Sequence, residues 1–200
     1  VYDEVPTKDR EADGVPTIRY IAKRCRHGLN YRMQAAKLAE VTGLSLPKAT
    51  EAFNIYHTTT PELRQWWEAT ILEAKATREL FSPLGRRLKY LGRLDDQALD
   101  SIIAFRPQST VGDKVAQVIY QCEDDPKWPH NARMCLNIHD ALIALVPRNK
   151  AKMCLAIMKK HAESPIMING MPLIIPADLK ISRPDERGIH RWSTLKDIHL

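Results

Sequence analysis

Two apolar, strand-like runs that flank a His-Asp pair between residues 132 and 147 constrain the fold of this chain more than any other stretch. The pattern predicts a β-hairpin with His139 and Asp140 at its turn. A carboxylate at such a tip is exposed and held by the sheet backbone, which suits a Mg²⁺ ligand. Aspartate is also common in ordinary turns, and the residues alone leave that interpretation open.

A second stretch, residues 19–31, predicts a helix with one basic stripe. At about 100° per residue, His27 and Tyr31 lie beside that stripe, one turn apart. Fixed cations offset phosphate charge, and neighbouring rings can cover a planar base by stacking. A solvated basic helix face is the alternative, and the residues alone do not exclude it. The stripe consists of Arg19, Lys23, Arg26 and Asn30.

Composition narrows the class of partner. The formal net charge is +6 and the isoelectric point about 9.2, which favours an anionic partner. Of such partners, nucleic acid is favoured over a membrane surface. No apolar run is long enough to span a bilayer and no signal peptide opens the chain, so no membrane partner is expected. The four cysteines are scattered without a metal-ligand spacing, which indicates reduced thiols in a cytoplasmic compartment. Because the chain begins with Val1 and not Met, we expect a segment or a processed product.

The remaining elements follow from periodicity and turn residues. Residues 1–16 are expected to form an irregular lead-in. A turn at 82–85 leads to a short basic strand at 86–90, and Pro107 is expected to break the helical region around it. The pair Trp66-Trp67 is more typical of packing in a core or interface than of a chemical site. Further helices are predicted at 33–41, 48–57, 61–80, 94–105, 109–121 and 149–163, and closing strands at 170–175 and 179–181.

Taken in order, these stretches resemble the family A (DNA polymerase I-like) DNA polymerases. Arg19-x3-Lys23-x7-Tyr31 resembles the fingers-helix motif of that family, and Ile138-His139-Asp140 resembles its catalytic palm hairpin. Trp192 lies near the end, as in many phage members. Three further pieces fall between the two motifs in the family order: Tyr56-His57-x3-Pro61 before a Trp-bearing helix, Gly85-Arg86-Arg87, and Gln108-Ser-Thr-x2-Asp113.

The resemblance implies an α+β fold, in which helical fingers are followed by part of an antiparallel palm sheet with flanking helices. Such a chain is an incomplete right-hand polymerase, with fingers at 17–80 and palm at 81–200. The implied activity is template-directed DNA synthesis with two Mg²⁺ ions, on primer-template DNA and deoxynucleoside triphosphates. The compartment is then the cytoplasm, that of the host if the chain is phage-encoded.

The family's first metal-binding aspartate is not matched in this chain. It belongs to a strand motif before the fingers helix, and Asp3, Asp9 and Asp13 lack strand-like surroundings. We therefore expect an upstream segment or a separate polypeptide, as in a split phage polymerase, to supply that carboxylate. The chain alone is expected to be inactive.

The resemblance also implies roles for individual residues. Arg19 and Lys23 would bind the β- and γ-phosphates, and Lys23 would protonate the departing pyrophosphate. His27 would stack on the sugar and base, and Tyr31 would pack at the templating position. His139 would contact the primer end and Asp140 would bind metal. Gln108 would read minor-groove acceptors, and the other expected DNA contacts are Arg86 and Arg87.

Four positions depart from the family pattern: His27 in place of Phe or Tyr, Arg32 in place of Gly, Ser109 in place of Gly, and Ala141 in place of Glu or Ser. A single-subunit RNA polymerase relative is one alternative, because it shares the Arg/Lys…Tyr and His-Asp pattern. A degenerate module that only binds nucleic acid is another. The surroundings of Gln108 favour the DNA enzyme.

Overall fold

The computed structural model describes residues 18–182, 184, 187, 190 and 194–198, with side chains from Tyr20 onwards. The predicted lead-in and Trp192 lie outside the described residues. The elements up to residue 90 are helices α1 (Ile18–Asn30), α2 (Ala35–Thr42), α3 (Leu46–Thr59) and α4 (Pro61–Thr77), then strands β1 (Glu79–Phe81) and β2 (Arg87–Lys89).

Later in the chain a long helix precedes short antiparallel strand pairs, so the α+β expectation is confirmed. Strands pair as β3 with β4, β5 with β6, and β7 with β8. The elements are α5 (Asp96–Glu123), β3 (Arg133–Ile138), β4 (Ala141–Leu145), a 3-10 turn (Arg148–Lys150), α6 (Ala151–Ala162), β5 (Ile166–Ile168), β6 (Met171–Leu173), β7 (Lys180–Ser182) and β8 (Leu195–Asp197).

Local signals explain several of these boundaries. Pro47 and Pro61 stand in the first turn of α3 and α4, where a missing N–H removes no helical bond. Gly43 ends α2 in the left-handed region, with φ of 70°, where glycine carries no side-chain penalty. At Gly28 a Cβ would lie 2.1 Å from Cε of Met33, so a larger residue there would require the flexible Met33 side chain to move.

The described residues form two compact units, which we treat separately. The first contains the described residues up to Leu80 together with Arg87–Arg106, and the second contains Phe81–Arg86 and the described residues from Pro107 onwards. In the first unit, Leu29, Leu38 and Ala49 form one buried cluster of α1, α2 and α3. A second cluster in that unit is built on Ala74, Leu80 and Ile102.

The core of the second unit joins the hairpin to two helices. Its buried members are Val118, Cys122, Trp128, Ala132, Cys154 and Ile157. Met134, Leu142 and Ala144 pack on them from β3 and β4, so one hairpin face is anchored. The side chains of Leu136, Ile138 and Leu145 are exposed.

The predicted break at Pro107 is wrong, because α5 continues through that residue. A proline in a helix removes one hydrogen bond and crowds the preceding turn, at a cost of about 3 kcal/mol. Buried side chains on both sides of the proline offset this cost: Ile102 and Ile103 precede it, and Thr110 and Val115 follow. None of the described helices is long and apolar enough to cross a bilayer.

Candidate active site

Helix α1 carries the basic residues that were predicted to bind the nucleotide. Lys23, Arg26 and His27 are exposed, and Lys23 has no ion-pair partner among the described side chains. Arg24, in contrast, lies over the ring of Tyr20, at 5.4 Å from its centroid. Arg19 lies in the first turn of α1, and its side chain is not among those described. No described side chain therefore competes with an anion for the exposed ammonium of Lys23.

The two predicted ring positions are in contact. The centroids of His27 and Tyr31 lie 5.0 Å apart, with the ring planes at 63°. Tyr31 is half-buried, and burial raises the pKa of its phenol. The two rings form one aromatic surface at the end of the basic helix, as the predicted one-turn spacing requires.

The residue after Tyr31 adopts a backbone conformation that favours glycine. Arg32 has φ of 66°, and its Nη1 donates to Oδ1 of Asp100 at 2.8 Å. The carbonyl oxygen of Arg32 also accepts from Nε2 of Gln34 at 3.0 Å. An ion pair thus accompanies the left-handed arginine where the family usually has glycine.

The hairpin places His139 and Asp140 at its tip, as predicted. Ile138 pairs with Ala141, which leaves a two-residue turn between β3 and β4. His139 has φ of 56°, a conformation that costs a side-chain-bearing residue energy and recurs at functional turns. Both tip side chains are exposed. The strands thereby hold the carboxylate of Asp140 out in solvent.

Asp140 provides only a single carboxylate for metal. Among the described residues, no group of three or more His, Cys, Asp or Glu side chains is arranged to hold an ion. Mg²⁺ keeps several waters and is usually bound by one or two protein carboxylates together with substrate phosphates. An exposed, unpaired aspartate fits such a set as one ligand of several.

The predicted DNA-contacting arginines both form ion pairs. Arg86 donates from Nε to Oδ1 of Asp113 at 2.7 Å, and Oγ of Ser82 donates to Oδ2 of the same carboxylate at 3.2 Å. Arg87 pairs with Glu79, and the hydrogen bond from Arg87 lowers the pKa of that carboxyl. Both arginine side chains remain more than half exposed, at 56% and 52%. Their remaining N–H groups can still reach a phosphate.

Gln108 is exposed on α5, just after Pro107, as a contact to the minor groove requires. The helix segment that follows contains a polar group that sequence reasoning missed. Lys114 is buried, and its ammonium donates to the carbonyl oxygen of Ser164 at 2.7 Å. Burial lowers the pKa of Lys114. No local signal reveals this contact, because 50 residues separate the partners.

A shallow depression near residues 123–133 contains none of the predicted site residues. The Asp125 carboxylate is held by the backbone N–H of Lys127 and by the side chains of His161 and Lys160, which lower its pKa to about 2. This arrangement fixes the loop after α5.

The fold is that of a polymerase domain. A solved structure of the polymerase domain of Pol1 from M. smegmatis, in complex with DNA primer-template and dNTP, superimposes with a TM-score of 0.66 at 22% identity. The match covers 79% of this chain and 28% of that one. The expected partial polymerase fold is confirmed.

Sequence comparison then shows the family. The profile of DNA polymerase family A matches residues 6–184, so the chain belongs to DNA polymerase family A. The thermostable DNA polymerase I of Thermus filiformis is 26% identical over 173 residues, and the DNA polymerase of Mycobacterium phage D29 is 27% identical over 133. These alignments cover 83% and 66% of this chain. The chain spans about a fifth of the length of the curated relatives it matches, 20% and 21% for these two.

Proposed function

We propose that this chain carries part of the active site of a template-directed DNA polymerase, which transfers deoxynucleotides to a primer 3′-OH. The observation that supports this most is the exposed carboxylate of Asp140 at a hairpin tip, within a chain that belongs to family A. Primer-template DNA and deoxynucleoside triphosphates are the proposed substrates, and the cytoplasm is the proposed compartment.

Basic side chains of α1 bind the triphosphate. Arg19 and Lys23 bind the β- and γ-phosphates, since guanidinium and ammonium groups offset phosphate charge. Lys23 also donates a proton to the pyrophosphate as it leaves, a role that suits an exposed ammonium. His27 and Tyr31 cover the sugar and base, and Tyr31 closes the templating position.

Other residues hold the DNA. Gln108 donates to minor-groove acceptors, which are alike in all correct base pairs, so that contact tests pair shape and not sequence. Arg86 and Arg87 bind backbone phosphates through the N–H groups that their ion pairs leave exposed. His139 contacts the primer end.

Asp140 holds Mg²⁺, and a second carboxylate comes from an upstream segment or polypeptide. When bound between such carboxylates, two divalent ions activate the primer hydroxyl and stabilise the triphosphate charge. Among the described residues, no group of three or more His, Cys, Asp or Glu side chains could hold an ion, so the proposed site includes ligands beyond them.

Primer extension tests the proposal. The purified chain is assayed with Mg²⁺, primer-template and dNTPs, alone and with the polypeptide encoded immediately upstream. We expect extension only from the combination. Asp178→Asn, a change at an exposed aspartate outside the candidate site, serves as the matched control for Asp140→Asn. Extension by the chain alone would disprove the need for an upstream carboxylate, and binding of DNA without any extension would favour a degenerate module.

A further inference from the structure

Asn30, the last residue of α1, ties the end of that helix to two other helices. Its side-chain Oδ1 accepts a hydrogen bond from the hydroxyl of Tyr56 on α3, at 2.6 Å. Its carbonyl oxygen accepts from Nε1 of Trp67 on α4, at 3.0 Å. Both contacts are partly buried, so water competes with them less than at an open surface. One residue thus connects α1 to α3 and α4 by two hydrogen bonds of different kinds.

The tethered residue directly precedes Tyr31. The backbone N–H groups of Tyr31 and Met33 both donate to the carbonyl oxygen of Gly28, at 3.0 and 2.9 Å. These two hydrogen bonds to one carbonyl oxygen shape the turn that carries the Tyr31 ring. Because Asn30 lies inside the turn, loss of its side-chain bond to Tyr56 removes one of the contacts that hold the turn to the other helices.

The chemistry of this position favours a polar tether over simple packing. Leu29 beside it is buried in the cluster of α1, α2 and α3, whereas Asn30 is only half-buried. An asparagine in a half-buried place costs free energy unless its amide is hydrogen-bonded. The bond to Tyr56 compensates that cost and adds direction, which an apolar side chain cannot supply.

We propose that Asn30 is a positioning residue, which holds Tyr31 in register with the nascent base pair and thereby contributes to the choice of the incoming nucleotide. The inference rests on the proposed function. In this proposal Asn30 acts through the backbone of the residue that follows it. The partners of the tether, Tyr56 and Trp67, contribute in the same way.

Amide hydrogen exchange tests the tether without any catalysis. Asn30→Leu removes the acceptor, Asn30→Asp keeps one, and Tyr56→Phe removes the donor. Loss of one such bond is expected to speed exchange at the Tyr31 and Met33 amides by about two- to tenfold in Asn30→Leu and Tyr56→Phe. Asn30→Asp is expected to exchange like the wild type. Asn54→Leu, at an exposed asparagine of α3, is the matched control.

Single-nucleotide incorporation tests the consequence in the assembled polymerase, made of this chain and its upstream contributor. The rate for the correct nucleotide is expected to fall, and the preference for correct over incorrect nucleotide to drop by about two- to tenfold, in Asn30→Leu and Tyr56→Phe. KM for the triphosphate is expected to change less than kcat, because Lys23 remains in place. Asn30→Asp is expected to restore selectivity.

Two results would overturn the role of Asn30 while leaving the proposed function intact. Unchanged exchange in Asn30→Leu would show that the tether does not hold the turn. Faster exchange with unchanged selectivity would show a purely structural contact. A wild-type assembly that incorporates no nucleotide would overturn the proposed function, and with it the role of Asn30 in selectivity, whatever the exchange data show about the tether.

Discussion

Arg86 and Asp113 are joined through two guanidinium nitrogens and a single oxygen: Nε and Nη2 of the arginine both donate to Oδ1 of the aspartate, at 2.7 and 2.5 Å. Asp113 is the more buried partner, with 14% of its side chain exposed against 56% for Arg86. The aspartate of the Gln108–Asp113 segment therefore holds an arginine in place, and that arginine presents its outer edge to solvent.

We predict that Arg86→Ala weakens primer-template binding and reduces the slope of log affinity against log salt by about one, the loss of one phosphate contact. Asp113→Asn removes the opposing charge and is expected to leave that slope in place. Fluorescence anisotropy over a salt series measures both quantities. Arg148→Ala, at another exposed arginine of the same unit, is the control. An equal change of the salt slope in Arg148→Ala would show that the slope reflects the net charge of the protein and not a contact of Arg86.

Asp140→Asn is predicted to lower nucleotide incorporation by the assembled polymerase by about 10²–10³-fold or more, the scale seen when an electrostatic group of an active site is lost. Primer-template affinity is expected to stay within a few-fold, because DNA is held mainly through basic contacts to phosphate. Single-turnover extension and a binding titration separate the two effects. Substantial turnover of the variant with Mg²⁺ would contradict the metal assignment.

Lys23→Ala is predicted to raise KM for the nucleotide and to slow the chemical step, with little change in DNA binding. Lys23→Arg is expected to recover only part of the rate, since guanidinium keeps the charge but is a poor proton donor. Lys48→Ala, at an exposed lysine of α3, is the control in steady-state and single-turnover assays. Equal losses in DNA binding and in nucleotide use would indicate an ordinary solvated basic face.

The stability of the first unit is predicted to depend on pH through the buried side chain of His57. The ring is buried against Phe53, Tyr56 and Trp67, with centroid distances of 4.5, 5.6 and 5.3 Å. Neither ring nitrogen has a hydrogen-bond partner among the described residues. Burial, and then the positive charge of Arg64, lower the pKa of His57.

A lowered pKa in the folded state means that the unfolded chain binds the proton more readily. Stability is therefore expected to fall as the pH drops below about 6.5, by at most about 1.4 kcal/mol per pH unit for this one proton. Urea unfolding between pH 8 and 5 measures the effect, and His57→Phe is expected to flatten it. His130→Gln, at an exposed histidine, is the control. A pH profile that His57→Phe leaves unchanged would assign the loss to other groups.

Elements of strong periodicity were predictable from the sequence. The hairpin around His139 and Asp140 follows from two apolar runs and a two-residue polar break, and the basic face of α1 follows from its spacing. The predicted helix break at Pro107 was wrong because the sequence rule for proline considers only the lost backbone hydrogen bond. It does not consider the buried side chains on either side, which stabilise the continuous helix.

The contacts that hold the candidate site were beyond prediction from the sequence. Trp67 indicated packing, but its indole donates to Asn30, 37 residues away. The pairing of Arg86 with Asp113 likewise joins residues 27 apart. Spacing along one element carries no information about such partners, because the tertiary fold alone decides which polar groups meet.

Arg32 shows what a departure from a family pattern can mean in energetic terms. Its left-handed backbone, with φ of 66°, costs a non-glycine residue about 1–2 kcal/mol relative to glycine. The ion pair to Asp100, whose side chain is 57% exposed, returns only part of this cost, about 0–1 kcal/mol. In the free energy of unfolding, glycine is therefore slightly favoured over arginine at this position.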